Sequence, residues 1–240
     1  MNTNLSSRGA LLLGVSIFLG LGLLGYQLGH AALAVKGLDR TVSVKGLSER
    51  ELPADTAIWP IRFQDAGNNL PTLFDSIQAK NKLIVEFLGA HGIKPEEITS
   101  EPPTVTDLQA QNYGDKRNIE FRYTGASVTT VYSTNVAAVR QAMADIISLG
   151  RKGVAIAGDD FEHKPEFVFT KLNTQKPEMI AEATQNARAV AEKFAADSKS
   201  SIGRIKSAAQ GQFTIEDRDK TTPYIKRIRV VSTVEYYLAD

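Results

Sequence analysis

From Gly9 to Gly29 the chain reads GALLLGVSIFLGLGLLGYQLG, and none of these 21 residues carries a charge. A stretch of that kind is too apolar to lie on the surface of a small water-soluble domain. As a helix rising 1.5 Å per residue it would span roughly 31 Å, about the hydrocarbon thickness of a bilayer. Leu, Ile, Val and Phe dominate it, and Tyr26 with Gln27 sits where an interfacial residue is expected. The expectation is a membrane-spanning helix, followed by a domain with a different composition.

Two readings of that helix compete. A secretory signal peptide would have a charged start, here Arg8, an apolar core and a small-residue cleavage site, which Ala32-Leu33-Ala34 fits. An uncleaved anchor would have a core longer than the roughly 7–15 residues of a signal. Length favours the anchor, and cleavage after Ala34 stays open. Flanking charge is nearly balanced, with Arg8 and the free amine before the span and Lys36, Asp39 and Arg40 after it. A short tail ahead of a first apolar segment usually stays inside, so the C-terminal part is expected on the far side of the membrane. Gly25-x-x-x-Gly29 and Ser16-x-x-x-Gly20 would let two such helices approach closely, although glycine is common in these segments anyway.

Residues 40–240 then read as one α+β domain, and residues 1–39 as the anchor and a short juxtamembrane linker. The whole chain is 42% hydrophobic and 23% charged with a formal net charge of +1. No overall field therefore draws in nucleic acid. The chain lacks cysteine, which removes disulfides, thiolate nucleophiles and cysteine-based metal sites together.

The pattern predicts a mostly antiparallel sheet built from hairpins, with three helices, in the order β-β-α-β-β-α-β-α-β-β. Val42 and Val44 alternate with Thr41, Ser43 and Lys45, and Gly46 relaxes the backbone. Ser48-Glu49-Arg50-Glu51-Leu52 reads as a charged hairpin bend, and Pro53 stands just before a second strand, Asp55 to Gln64. In that strand Ala57, Trp59 and Ile61 share one face. At the Pro53-Ala54-Asp55 corner, Asp55 is expected to cap backbone amides of the turn.

A helix follows, capped by Asn69, with Pro71 in its first turn. Its apolar stripe is Leu73, Ile77, Ile84, Phe87 and Leu88, and Gly92 comes after its end. Further strands are predicted over Ile98–Leu108 and Ile119–Val131, with Gln109 to Asn118 as a polar hairpin loop. A second helix is expected over Val136–Leu149, stopped by Gly150, and then a strand over Phe161–Lys171. The longest helix is predicted from Lys176 to about Ser198, capped by Asn173 and Thr174, with Ile180, Ala183, Ala187, Val190, Ala191 and Phe194 as its stripe. Strands Ile205–Ile215 and Ile225–Leu238 close the chain. In the last, Ile228, Val230, Val234, Tyr236 and Leu238 share a face.

These segments carry a resemblance. TVSVKGLSERELPADTAIW, from Thr41 to Trp59, resembles the opening of SIMPL-domain proteins: a T-V-x-V-x-G strand, a charged segment, then P-x-D-x-A. The spaced alanines and turn formed by Ala181, Ala183, Asn186, Ala187, Ala191, Ala195, Ile202, Gly203 and Ile205 are similar to their second signature. VVSTVEYYL, from Val230 to Leu238, resembles their closing strand. The resemblance spans nearly all of Arg40–Leu238. It implies an exported bacterial envelope protein, linked to stress responses and prone to self-association, with no established catalytic residue and no cofactor. The long apolar span departs from family members that have a cleaved signal peptide.

The residues themselves offer little chemistry. No G-x-S-x-G elbow, Walker loop or dinucleotide fingerprint occurs in the globular part, so no catalytic motif is found. His91 is expected at a helix C-terminus, where the dipole favours an imidazolium, and His30 abuts the apolar span. Asp159, Asp160 and His163 form the one polar cluster that suggests a metal or small-ligand site, although their spacing matches no calcium loop. The alternating Glu216, Asp217, Arg218, Asp219 and Lys220 read as a solvated turn. Arg227 and Arg229 read as an outward basic face on an edge strand, and so as an assembly surface rather than a nucleic-acid site. The expected partners are a membrane through the N-terminal helix, further copies of the chain, and an envelope protein. The expected location is the bacterial inner membrane with the domain in the periplasm.

Overall fold

The computed structural model of the protein describes residues 7–37, 40–110, 120–158 and 163–239. Helix α1 (Ser7–Gly37) comes first. Within it, Leu11–Ala31 is long and apolar enough to cross a membrane, with a mean hydropathy of 1.9, and none of that stretch is buried. A signal sequence near the N-terminus can meet the same criterion. Ser16 turns its hydroxyl back to the Leu12 carbonyl at 2.9 Å, so its polar group is satisfied inside the helix.

The globular part departs from expectation at its start. Strand β1 (Thr41–Pro53) runs straight through Ser48 to Leu52, where a bend is predicted, and β2 (Thr56–Gly67) follows at once. They do not form a hairpin. β1 pairs with β10 (Ile225–Ala239), whereas β2 pairs with β5 (Tyr123–Ser133). Ala54 and Asp55 carry the chain from one sheet to the other. Alternation of side chains fixes a strand and its faces but not its partner, so adjacency in sequence suggested the wrong pairing.

The class is α+β with antiparallel pairing, as predicted. The chain forms two compact units. One comprises Met1–Glu49, Pro177–Phe213 and Arg229–Asp240, the other Arg50–Lys176 and Thr214–Ile228. β1, β10 and helix α5 (Leu172–Asp197) each contribute to both.

In the second of these units β2 and β5 are the two long central strands, in register from Ala57 opposite Ser133 to Gly67 opposite Tyr123. The predicted strand Ile98–Leu108 is two pieces, β3 (Ile98–Ser100) and β4 (Thr104–Asp107), both antiparallel to β5. Pro102 and Pro103 separate them, because neither can donate to a ladder. The expected hairpin pairing therefore holds, while residues 111–119 of its loop lie outside the described residues. On the far side of β2 lie β6 (Ala155–Ile156) and β7 (Glu166–Val168), the latter being, among the described residues, the extent of the strand predicted over Phe161–Lys171.

Helix α2 (Leu70–Ala90) starts as predicted. Asn69 accepts from the Thr72 amide at 3.1 Å, Pro71 occupies the first turn, and Gly92 ends the segment with φ +81°. Leu73, Ile77, Ile84, Phe87 and Leu88 are buried. They pack with Ala57, Trp59, Ile61, Phe63 and Val131 in one apolar cluster. The predicted second helix is split into α3 (Val136–Ala144) and α4 (Ile147–Arg151), and Gly153, with φ +85°, follows it in place of Gly150. The three helices expected after α1 are thus four among the described residues, α2 to α5.

β5 presents a polar inner face. Ser127, Thr129 and Ser133 are all buried. Asn81 on α2 answers two of them, donating to the Ser127 hydroxyl at 3.0 Å and accepting from the Thr129 hydroxyl at 3.2 Å. Glu97 accepts from the Ser133 hydroxyl at 2.7 Å. Each buried hydroxyl thereby has the partner that burial requires.

In the other unit β10 lies between β1 and β8 (Ser201–Gln210). The predicted strand Ile205–Ile215 is interrupted after Gln210, and β9 (Thr214–Asp217) pairs separately with β10. Val44, Val234 and Tyr236 pack against Ala187 and Ala191 of α5. The buried row of α5 is Met179, Ala183, Ala187, Ala191 and Ala195, an i, i+4 series. Val190 and Phe194, expected inside, are 40% and 57% exposed. Close approach selected the alanines. A Cβ at Gly46 would sit 1.9 Å from the Ala183 carbonyl oxygen and 2.4 Å from the Ala187 amide nitrogen. Gly46 therefore lets the strand lie directly on the helix backbone, rather than relaxing a turn.

Candidate functional site

At the Pro53-Ala54-Asp55 corner one carboxylate collects several hydrogen bonds from distant residues. The Asp55 carboxylate accepts from the Thr170 amide at 3.0 and 2.9 Å, from the Thr170 hydroxyl at 2.9 Å and from the Lys171 amide at 3.1 Å. The Thr56 hydroxyl adds a further bond at 3.1 Å. Partial burial works against the charge, but the Thr170 and Lys171 bonds outweigh it and hold the carboxyl below the usual aspartate range. Asp55 does cap backbone amides. They belong to Thr170 and Lys171, just before α5, not to its own turn. α5 begins at Leu172 and not at Lys176, so Asn173 and Thr174 lie inside it and are not its caps. Thr174 turns its hydroxyl to the Lys171 carbonyl at 2.7 Å, and Pro177 lies inside the helix.

β2 has a gap on its β6–β7 side. β6 pairs with Phe63 and Gln64, and β7 with Thr56, Ala57 and Ile58, so Trp59 to Arg62 lie between. Arg62 directs its carbonyl to that side, accepting from the Ala157 amide at 2.9 Å. By alternation the backbone of Pro60 faces the same way, where its missing N–H interrupts no ladder. A cleft of about 380 Å³ opens there, walled by Pro60, Arg62, Met143, Ile146, Ile156 and His163. Beyond Arg62 a smaller hollow of about 220 Å³ adds Glu101, Thr104 and Val128. The structure thus places His163 beside Arg62, while Asp159 and Asp160 lie outside the described residues. Among the described residues, no three His, Cys, Asp or Glu side chains gather closely enough to hold a metal. The cleft offers a cation and an imidazole against apolar walls. That chemistry suits a small molecule with one anionic end.

Arg227 and Arg229 do not stand on an edge strand, because β10 is internal to its sheet. Arg227 reaches the Arg218 carbonyl at 3.4 Å and Glu51 at 3.9 Å, so its charge serves the protein's own contacts, whereas Arg229 is exposed. The predicted solvated turn is ordered around Asp219, which the Thr221 and Thr222 hydroxyls and Arg218 hold well below the usual carboxylate range. His91 sits at the end of α2 as expected, with Nδ1 2.9 Å from the Phe87 carbonyl and Nε2 3.5 Å from Asp145.

Sequence reasoning placed a strand over Ile205–Ile215 but missed how exposed β8 is. From Arg204 to Gln210 every residue is exposed. Beside it a groove of about 570 Å³ runs between Thr184, Gln185 and Arg188 of α5 and Gly203, Arg204 and Ile205 of the strand. The available signal was the run Ser207-Ala208-Ala209, which shows no alternation and so specifies no buried face.

Comparison with known families decides what kind of chain this is. The profile of the SIMPL family, described as a protein of unknown function (DUF541), matches residues 42–234. The chain belongs to the SIMPL family. No curated protein matches it.

In this SIMPL protein the two signature stretches, far apart in sequence, meet in space. The opening T-V-x-V-x-G strand is β1, and its glycine is Gly46, pressed against α5. The alanine run is the buried row of α5. Asn186 of that run donates from Nδ2 to the Leu47 carbonyl at 2.8 Å. Ile202, Gly203 and Ile205 begin β8. The SIMPL motifs in β1 and in the alanine run of α5 thus mark a strand-on-helix contact.

Proposed function

We propose that this protein is a single-pass membrane protein of the bacterial envelope whose SIMPL domain stands in the periplasm. It works through protein surfaces, first of all by assembling with copies of itself. The observation that carries this reading is the join between α1 and the domain. An apolar span ending at Ala31 is followed, ten residues on, by the first strand of the SIMPL fold at Thr41. A tether of that length holds every copy close to one membrane plane. Confinement of that kind raises the effective concentration of weak surfaces toward one another. The test is to follow the full chain in bacterial membranes. Resistance to alkaline extraction, protection from protease until the outer membrane is opened, and a discrete oligomer in mild detergent are the expected results. A protein released from the membrane with Val35 as its first residue, or a monomer at every concentration, would defeat the reading.

A second reading rests on the cleft beside His163 and Arg62. There the domain would bind a small anionic ligand or, with Asp159 and Asp160, a metal ion, or hydrolyse a substrate at that site. Thermal melting with zinc, calcium and inorganic phosphate distinguishes the two. A shift of several degrees that disappears in an Asp160→Ala, His163→Ala protein would favour the cleft.

A further inference from the structure

Apolar side chains scattered singly over a protein surface need no explanation. Ile147 of α4 is a different case. It is 69% exposed, the highest value for a large apolar side chain outside α1 among the described residues, and equal to that of Leu11 and Leu12 on the bare apolar helix. Its neighbours show that the exposure is built in. Leu149 and Val154 are fully buried and fix α4 to the apolar cluster that contains Ile84, Ile61 and Val131. The Val154 amide donates to the Leu149 carbonyl at 3.1 Å, which holds the turn closed. Two positions apart on a helix point to opposite sides, so with Leu149 inward Ile147 stands outward.

Beside Ile147 lies an open groove of about 450 Å³, lined by Ile146, Gly150, Arg151, Val154 and Ile156 as well as Ile147 itself. Arg151 follows Ile147 by four positions, so the two share a face of the helix. Lys152 comes next, and both basic residues are exposed. Neither side chain has an acidic partner among the described residues. From Ile146 to Gly158 the sequence contains no Asp or Glu. The acid just ahead, Asp145, faces His91 at 3.5 Å. An apolar point, an apolar groove and two uncompensated positive charges therefore lie on one short stretch of chain.

We propose that α4 docks on anionic lipid of the membrane that holds α1, with Ile147 inserted where headgroups meet acyl chains and with Arg151 and Lys152 on lipid phosphates. This rests on the reading of α1 as an anchor. A bilayer offers both chemistries in one layer, phosphate for the cations and hydrocarbon for the isoleucine. It also needs no pocket shaped to receive a side chain that stands proud of the surface. The anchor keeps the domain beside such a layer at high effective concentration. The stem of Arg151 can lie along the apolar groove while its guanidinium stays at the level of the phosphates. Docking of this kind weakens as salt rises. Each positive charge removed should lower the ratio of docked to free domain about fivefold.

The absence of cysteine makes the test direct. Full-length protein carrying Ile147→Cys is labelled there with an environment-sensitive fluorophore and reconstituted into vesicles of phosphatidylcholine, with or without phosphatidylglycerol. Tyr132→Cys, at another exposed position, is the control. The expected result is a blue shift at position 147 only when phosphatidylglycerol is present, and none at position 132. Arg151→Glu with Lys152→Glu should remove the shift, and raised salt should weaken it. Ile147→Ser should leave the melting temperature unchanged, since the side chain lies outside the core. Identical emission from position 147 in both kinds of vesicle would overturn the docking. The anchor would still stand if the protein floats with the vesicles after alkaline washing. A shift in detergent that grows with protein concentration would assign the surface to a second copy and overturn the lipid contact. Release from the vesicles by alkali would overturn the anchor and the docking together.

Discussion

Asp55 and Thr170 stand 115 residues apart in the chain, yet the carboxylate of the first accepts the amide of the second at 2.9 Å. A side chain at the crossover between two strands thus caps the approach to the longest helix of the domain. The consequence for stability can be stated with its sign. Asp55 is held below its ordinary range by bonds to Thr170 and Lys171. Its contribution is complete above the unfolded value of about 3.9 and is lost as pH falls through the lower folded value. Asp55→Ala should cost about 2 kcal/mol near neutral pH, the worth of hydrogen bonds to a charged group. Urea unfolding at pH 7 and at pH 3 should show the gap between variant and wild type narrowing in acid. A constant gap would mean that the charge is not what matters.

Glycines at two close contacts should respond differently. At Gly46 a Cβ meets backbone atoms of α5, which cannot turn aside. At Gly125 it meets the Ile77 side-chain end at 2.5 Å, which can. Gly46→Ala is expected to cost about 3 kcal/mol or prevent folding, and Gly125→Ala about 1 kcal/mol, within the range for overpacked cores. Thermal unfolding of the two variants reads the difference, and equal losses would contradict the backbone contact.

The outer and inner rows of α5 should also separate. Phe194→Ser removes an exposed ring and is expected to change stability by no more than about 0.5 kcal/mol. Ala191→Leu adds bulk where the helix meets β1 and β10, and should cost about 1–3 kcal/mol. If instead the phenylalanine change were the damaging one, the helix would be rotated relative to the description above. Circular dichroism melts of the purified proteins suffice.

Asn81 is the partner that permits hydroxyls on the inner face of β5. Asn81→Leu should cost about 1–3 kcal/mol despite adding apolar volume, because buried Ser127 loses its Asn81 partner and Thr129 keeps only Ser100. Restoring balance with Ser127→Ala and Thr129→Val in the same chain should recover part of the loss. A double-mutant cycle measures the coupling, and simple additivity would argue against the network.

Features set by near neighbours were legible in the sequence. The Asn69 cap, Pro71, the apolar face of α2 and the inner face of β10 each depend on residues within a turn or a strand, and all are found as expected. The split at Pro102-Pro103 was legible too, had the prolines been weighed against strand propensity. What escaped were choices made by distant partners. β1 and β2 look like a hairpin because they are adjacent, and only the rest of the sheet decides otherwise. The helical period admits Val190 and Phe194 to the α5 stripe as readily as Ala187 and Ala191. It is Gly46, some 140 residues earlier, that makes room for alanine alone. The site was the least legible part. The Asp159, Asp160 and His163 cluster drew attention by its charges, but the exposed edge of β8 announces itself only by small residues without a pattern.

The position of β10 also governs when the molecule can exist. It follows both β1 and β8 in the chain, yet it lies between them in its sheet. Neither neighbour has a strand to bond to until it arrives. During synthesis β1 and β8 therefore wait as open edges, with the alanine row of α5 already made. A chain cut before Ile225 loses the centre of this sheet, not a dispensable strand at its margin.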